Sequence, residues 1–171
     1  MVLGLFEGEL DLLIGSTNYS AGQKISGSIR LKLPKPLKAR GLRVSFYGEI
    51  YDPDFTERVF VITAKLSGEK LYSTGENYNF ELQLPESFAP PKFEGPYADA
   101  LNKFMPKPQN WFVHATLDLP HKLDINKRVL VKIVSFGPPP AIISTANRAE
   151  FEKAGSILYQ YGRPSLRKSL Q

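Results

Sequence analysis

The feature that most constrains the fold is a strict alternation of apolar and polar residues within separate short segments. In residues 24–33, KISGSIRLKL, an apolar residue or glycine fills every second position, and the polar positions between include Arg30 and Lys32. Successive side chains on a β-strand point to opposite faces of a sheet, so this pattern predicts a strand with one buried face. Pro34 lacks a backbone donor and ends the strand.

The same alternation recurs along most of the chain, and turn sequences such as DPD and SGEK separate the segments. The segments that show it are 6–14, 42–51, 59–66, 78–84 and 111–119, with shorter candidates at 71–72 and 129–133. Thirteen glycines and fourteen prolines favour many turns and short strands. Seven or eight strands at this spacing predict an all-β, antiparallel, immunoglobulin-like sandwich over residues 1–136.

Two segments lack the strand pattern. Residues 86–110 contain five prolines, and PYADALNKFM within them predicts about two helical turns. After GPPP at 137–140, Asn147 as N-cap and Glu150 at the capping-box position predict a short helix from about Arg148 to Ala154, with Gly155 as its stop. Residues 137–171 are therefore predicted to be a linker, a short helix and a tail added to one domain.

The composition limits the cellular compartment and the kinds of chemical site that we expect for this chain. The chain has no cysteine, which excludes disulfides and thiolate metal sites and suits a reducing compartment. Residues 1–15 lack a basic start and carry Glu7, Glu9 and Asp11 among their apolar residues, so we expect neither a signal peptide nor a membrane anchor. The predicted localisation is cytoplasmic.

Three passages, in order, resemble the arrestin N-terminal domain family, which includes arrestins, arrestin-domain proteins and the arrestin-like subunit of retromer. They are YSAGQKISGSIRLKLPKPLKARGLRVSFYGE at 19–49, FELQLPESFAPPKFEG at 80–95 and WFVHATLDLPHKLDINKRVLVKIV at 111–134. The resemblance implies a single arrestin-type sandwich and a role in binding and trafficking proteins, with no enzymatic activity.

The chain departs from that family in three ways. It has sequence for one sandwich where arrestins have two, and residues 97–108 lengthen the loop after Gly95. Glu7, Glu9 and Asp11 occupy the outward face of the first strand, where signalling arrestins carry lysines that sense phosphate. Phosphoreceptor recognition is therefore not carried over.

Candidate catalytic residues are few. The only histidines are His114, on the outward face of a predicted strand, and His121, in a turn. A two-histidine metal pair lacks a third ligand, and Asp52 and Asp54 flank Pro53 where a turn itself favours aspartate. We therefore expect no catalytic residues, no metal and no cofactor.

The strongest charge feature is residues 24–43, which hold seven basic residues and no acidic one in a chain of net charge +5. The candidate partner-binding residues taken from it are Lys32, Lys35, Lys38, Arg40 and Arg43. They predict either a solvated, edge-protecting face or a site for an anionic partner. An acidic or phosphorylated protein and an anionic membrane surface both fit, whereas nucleic acid is disfavoured because no aromatic residues alternate with these charges.

The tail supplies a second candidate surface. Ile157, Leu158, Tyr159 and Tyr161 form an apolar and aromatic strip, followed by basic residues at 163, 167 and 168. The strip could add a strand to a neighbouring sheet, which would make residues 137–171 a route to homo-oligomers, or it could fold back over its own domain.

The leading functional hypothesis is an intracellular adaptor or scaffold that binds another protein. The alternative is a small-ligand-binding or enzymatic sandwich with a pocket under the 86–110 loop, near Tyr97, Phe104 and Trp111. A third hypothesis is self-assembly through the tail.

Overall fold

The computed structural model describes residues 7–103, 105, 107–139 and 142–162, and within these it confirms an all-β sandwich. The strands and helices are β1 Glu9–Ile14, β2 Asn18–Ser20, β3 Lys24–Lys32, β4 Leu37–Ala39, β5 Gly41–Asp52, β6 Phe55–Ser67, β7 Lys70–Tyr72, β8 Asn77–Gln83, β9 Lys92–Glu94, α1 Ala98–Lys103, β10 Asn110–Asp118, β11 Ile125–Ser135, β12 Ile142–Ser144 and α2 Arg148–Gln160. Seven of these strands have six or more residues. They are the strands that alternation predicts, whereas the three-residue strands are too short to show a period.

The smaller sheet has the order β1-β3-β8 and is antiparallel throughout. The alternating strand β3 is therefore its centre. The hypothesis that its lysines protect a sheet edge is wrong, because β1 and β8 pair with both sides of β3. Ion pairs cross this outer face instead, from Lys32 to Asp11 at 2.8 Å and from Lys24 to Glu81 at 3.9 Å.

The larger sheet has the order β2-β11-β10-β5-β6. Its long strands are antiparallel, while the short β2 runs parallel to β11. The β5–β6 register shifts between Phe46 and Gly48, and Phe60 on the opposite strand has a positive φ of 54°. This bulge bends β6 and turns the Phe60 ring toward the core.

The core lies between the two sheets and follows the predicted inward positions. On β10, the inward side chains at alternate positions from Trp111 to Leu117 are all buried, as are Leu42, Val44 and Phe46 on β5. An aromatic group fills one end of the core, where Phe46 stacks on Trp111 at 5.5 Å and Phe88 meets Trp111 edge-on at 4.9 Å.

Residues 92–105 and 142–158 build a second, smaller apolar cluster beside the sandwich. Strands β9 and β12 pair in parallel, and helices α1 and α2 contact each other over them. The buried members are Phe93, Ala98, Leu101, Ala154 and Leu158. The long loop and the segment after Gly137 are thus structurally joined.

Helix α2 begins as the sequence predicts, because the Asn147 side chain accepts from the Glu150 backbone N–H at 3.0 Å. The predicted stop at Gly155 is wrong, since the helix continues to Gln160. Glycine within a helix costs only about 1 kcal/mol relative to alanine, and burial of Leu158 one turn later outweighs that cost. No helix in the described ranges is long and apolar enough to cross a membrane.

Candidate functional site

The predicted basic residues do not form one patch. Lys32 lies on the smaller sheet, and Lys38 lies on β4, where it pairs with Glu69 at 3.4 Å. Lys35 is exposed in the connection between β3 and β4. Arg40 and Arg43 lie on the other side of the sandwich, at the end of the larger sheet, and both contact Asp118. Of the five, only Arg43 enters the cleft described below.

The tail strip is helical and packs on its own chain. Ile157, Leu158 and Tyr159 belong to α2, where Leu158 is buried in the second cluster. Tyr161 donates its hydroxyl to the backbone oxygen of Phe88, and its ring meets Phe60 edge-on at 5.2 Å. Of the two alternatives that the sequence left open, these contacts agree with folding back over the same chain and not with strand addition. The Tyr159 side chain and the basic residues at 163–171 lie outside the described part of the chain.

The polar site with the richest chemistry lies on the outer face of the larger sheet, and we call it the outer-face cleft. It has a volume of about 480 Å³, and its lining residues are Arg43, Ser45, Arg58, His114, Thr116, Asp124, Asn126 and Arg128. The register explains the grouping, since His114 on β10 lies opposite Ser45 on β5 and Arg128 on β11. Four adjacent strands therefore each contribute outward side chains to one recess.

Two of the three arginines in the cleft are held on aromatic rings. The Arg58 guanidinium lies 4.3 Å from the centre of the Tyr47 ring, and that of Arg128 lies 4.1 Å from the centre of the Phe112 ring. Stacking of this kind orients the planar guanidinium and limits its rotamers. Both groups are thereby fixed in part before any ligand arrives.

The arginines differ in how far nearby carboxylates neutralise them. Arg128 pairs at 3.0 Å with Glu49, whose side chain is only 7% exposed. Arg43 lies 3.7 Å from Asp118, which makes a shorter 2.6 Å pair with Arg40. Arg58 makes no ion pair with any carboxylate among the described residues. The cleft thus keeps unneutralised positive charge, although Asp124 contributes one negative charge to its lining.

His114 forms the floor of the cleft through two hydrogen bonds of 3.0 Å, from Nδ1 to the Tyr47 hydroxyl and from Nε2 to Asn126 Oδ1. Asn126 donates its own Nδ2 to the Asp124 backbone oxygen, so its Oδ1 is the acceptor and His114 Nε2 carries a proton. Nδ1 then accepts from Tyr47. The network is satisfied by the neutral imidazole.

Burial and the charges of the cleft also favour the neutral imidazole of His114. Burial lowers the pKa of His114, the hydrogen bond to Asn126 partly opposes that effect, and the positive charges of Arg58, Arg128 and Arg43 lower the pKa further. All three guanidinium groups therefore raise the positive potential at one point in the cleft.

This pKa shift predicts a pH-dependent stability. Because the pKa of His114 is below its usual 6.5 when folded, the unfolded chain binds the proton more tightly. The stabilisation is complete above about pH 6.5 and falls as the pH drops toward the folded pKa. Urea unfolding between about pH 5 and pH 8 should show this decline, and the variant His114→Gln should lose that component. An equal decline in the variant would contradict the assignment.

A second cavity lies under the 86–110 loop and has a volume of about 320 Å³. Its lining residues are Phe88, Pro90, Met105, Lys107, Pro108, Trp111, Phe136 and Tyr161. Trp111 therefore lies where the alternative hypothesis places it. Tyr97 lines a separate shallow cleft with Phe151, and Phe104 is outside the described residues. The cavity is apolar except for Lys107, so it offers a hydrophobic surface and few polar groups for chemistry.

The described residues contain no group of three or more histidine, aspartate or glutamate side chains placed to hold a metal. Sequence reasoning missed Arg58 and Arg128, and it treated His114 as an ordinary surface histidine. The outward parity of Arg43, Ser45, His114 and Thr116 was visible in the sequence. The order of the strands, which brings β11, β10, β5 and β6 side by side, was not.

Comparison with known proteins finds similarity both among sequences and among solved structures. No family model matches the chain. It is 26% identical over 170 residues to arrestin domain-containing protein 1 of Rattus norvegicus, an alignment that covers 88% of this chain and 37% of that relative. The chain thus spans little more than a third of the length of the curated relative that it matches.

Among solved structures, the sporulation control protein Spo0M from Bacillus subtilis matches with a TM-score of 0.50 and 14% identity, over 75% of this chain and 49% of that one. A structure of the Pseudomonas fluorescens alkylpurine DNA glycosylase AlkC, bound to DNA containing an abasic site analogue, reaches a TM-score of only 0.38 at 13% identity, over 74% and 30% of the two chains. The similarity to the Spo0M structure supports the fold described above. The sequence comparison makes this chain similar to an arrestin-domain protein.

Proposed function

We propose that this chain is a non-catalytic, arrestin-like adaptor module that binds partner proteins. The similarity to an arrestin-domain protein covers 88% of the chain. The observation that carries the proposal is the outer-face cleft, an open recess in which three arginines and several hydroxyl and amide groups are presented on a rigid sheet. Such a surface suits recognition of a charged segment of another protein.

The proposed place of action is the cytoplasm. The complete lack of cysteine in 171 residues suits a reducing compartment.

The test is affinity capture from native lysate with the complete chain, followed by reconstitution of the recovered partner and the chain from purified components. We expect one or a few proteins to be recovered reproducibly and to bind the purified chain directly. A heat-unfolded sample of the same chain is the control for non-specific adhesion. Repeated failure to find a direct binder would contradict the adaptor function.

The apolar cavity under the 86–110 loop favours a second candidate, a binding site for a small apolar ligand. Trp111 lines the cavity and is the chain's only tryptophan, so its fluorescence reports on occupancy. Under this candidate, a naphthalene-type apolar probe should quench Trp111 saturably, and Phe136→Ala, at the rim, should weaken that binding. Quenching that never saturates would rule the site out.

A further inference from the structure

The cavity under the 86–110 loop has walls that the fold holds in place. Phe88 meets Trp111 edge-on at 4.9 Å, and the Trp111 ring centre lies 6.4 Å from that of Phe136. The backbone N–H groups of Phe88 and Ala89 both donate to the Phe136 backbone oxygen, at 2.7 and 3.2 Å. The three rings are therefore arranged before any ligand binds, as is usual for small-molecule sites.

The loop is also fixed at its far end and from the C-terminal side. The Gln109 backbone N–H donates to the Glu49 backbone oxygen at 2.8 Å. Tyr161, which follows α2, donates its hydroxyl to the Phe88 backbone oxygen and lines the cavity. Burial raises the pKa of Tyr161 to about 12, so the phenol stays uncharged at neutral pH. The long loop, the end of the sandwich core and the residue after α2 thus form one apolar wall.

Lys107 gives this apolar cavity a positive charge. Among the described residues that line the cavity, it is the only charged one, and it is exposed. It forms no ion pair with any carboxylate in the described part of the chain. An unneutralised ammonium group beside apolar walls favours a ligand with an apolar body and one negative charge, and it repels a cation.

The volume and the rings limit the body of the ligand. About 320 Å³ is at the lower end of the range for small-molecule sites, about 300 to 1,000 Å³. A compact body of one or two rings fits such a space. Aromatic rings in offset or edge-on contact stabilise each other beyond the effect of burial alone, so the walls formed by Phe88, Trp111 and Phe136 favour an aromatic body over an aliphatic one.

We propose that the cavity under the 86–110 loop binds a compact aromatic carboxylate, with the rings against Phe88, Trp111 and Phe136 and the carboxylate at the Lys107 ammonium group. The inference rests on the second candidate function, because it names the class of ligand for the apolar cavity. The arginines of the outer-face cleft take no part in this binding.

The test compares three probes of similar size on the complete chain: naphthoate, its neutral amide naphthamide, and the cation naphthylmethylammonium. Quenching of Trp111 fluorescence measures their binding, since Trp111 is the only tryptophan in the sequence. We expect naphthoate to bind about fivefold tighter than naphthamide, the scale of one exposed ion pair, and the cation to bind most weakly.

The variant Lys107→Gln should weaken naphthoate binding about fivefold and leave naphthamide binding unchanged. Lys107→Arg keeps the charge and should keep the preference for naphthoate. Lys103→Gln is the matched control, because it removes one positive charge from α1, outside the cavity lining, and it should bind both probes like the unaltered chain. Because Lys107 is exposed, its variants should keep the urea midpoint of the unaltered chain.

Three results would overturn the proposal. The first is equal affinity for naphthoate and naphthamide, and the second is a preference for naphthoate that survives Lys107→Gln. The third is displacement of naphthoate by N-acetylphenylalanine amide at lower concentrations than naphthamide requires, which would assign the cavity to a side chain of a partner protein.

The outcome is separable from that of the second candidate function. Saturable binding of all three probes with equal affinity would reject the carboxylate and leave the apolar site in place. Quenching that does not saturate with any of the probes would reject the apolar site itself. Neither outcome affects partner capture, which tests the adaptor function.

Discussion

Replacement of Phe46 by alanine is expected to lower the free energy of unfolding by about 3 to 5 kcal/mol, the range for truncating a buried aromatic side chain. Phe46 is fully buried on β5 and contacts two rings, Trp111 at 5.5 Å and Phe88 at 5.7 Å. The substitution leaves a cavity that the surrounding sheets cannot close, because both are fixed by their ladders. Urea unfolding followed by Trp111 fluorescence measures the loss.

The matched control is Leu13→Ala on β1. Leu13 is 67% exposed on the smaller sheet, so its truncation should change the free energy of unfolding by no more than about 0.5 kcal/mol. A cost below about 1 kcal/mol for Phe46→Ala would contradict the position of Phe46 in the core.

Gly27→Ala is the second substitution for which we expect a large effect, a loss of about 1 to 3 kcal/mol from overpacking. A Cβ atom at Gly27 would lie 2.3 Å from the Leu13 backbone oxygen and 2.7 Å from the Phe80 ring. Phe80 can rotate only at the expense of core packing, and movement of Leu13 would strain the β1–β3 ladder. Because Gly27 lies in the middle of β3, all three strands of the smaller sheet are affected.

Gly68→Ala provides the comparison at a site without such contacts. A Cβ atom there meets nothing within 4 Å, and the residue needs no left-handed backbone conformation. Thermal unfolding should therefore give a clearly lower midpoint for Gly27→Ala and a nearly unchanged one for Gly68→Ala. Equal midpoints would show that the close approach at Gly27 does not constrain the sheet.

Alternation predicted the long strands because each of them buries one face. Strand β3 and the inward residues of β10 needed no tertiary information, since the period of two is visible in the sequence itself. Gly27 and Gly48 were also visible as glycines at inward positions. In the structure a side chain at either position would clash, because Phe80 lies close to Gly27 and Trp111 lies close to Gly48.

Other features depend on contacts between distant parts of the chain. The extension of α2 past Gly155 requires the pocket that Phe93 and Leu101 provide for Leu158, more than fifty residues away in sequence. The bulge at Phe60 requires the neighbouring strand β5. No local sequence pattern identifies these contacts. The pattern shows which face of an element is apolar, but it does not show which other element packs against that face.

The outer-face cleft likewise combines residues whose orientation the sequence predicts with a grouping that only the fold creates. Each of its strands carries an outward polar residue that the sequence reveals. Arg58 and Arg128, however, are seventy residues apart in sequence, and both line the cleft only because β6 and β11 flank the β5–β10 pair. The basic run at 24–43 attracted attention because its charges are adjacent in sequence. The fold instead distributes them over three sheets and the connections between strands, and it pairs several with carboxylates.

The most direct test of the proposed function is a comparison of partner capture from native lysate by the unaltered chain and by the double variant Arg43→Gln/Arg58→Gln. We expect the unaltered chain and a Lys24→Gln control, altered on the smaller sheet, to recover the partner, and the double variant to recover none. Equal recovery by the double variant and the unaltered chain would contradict the proposed function.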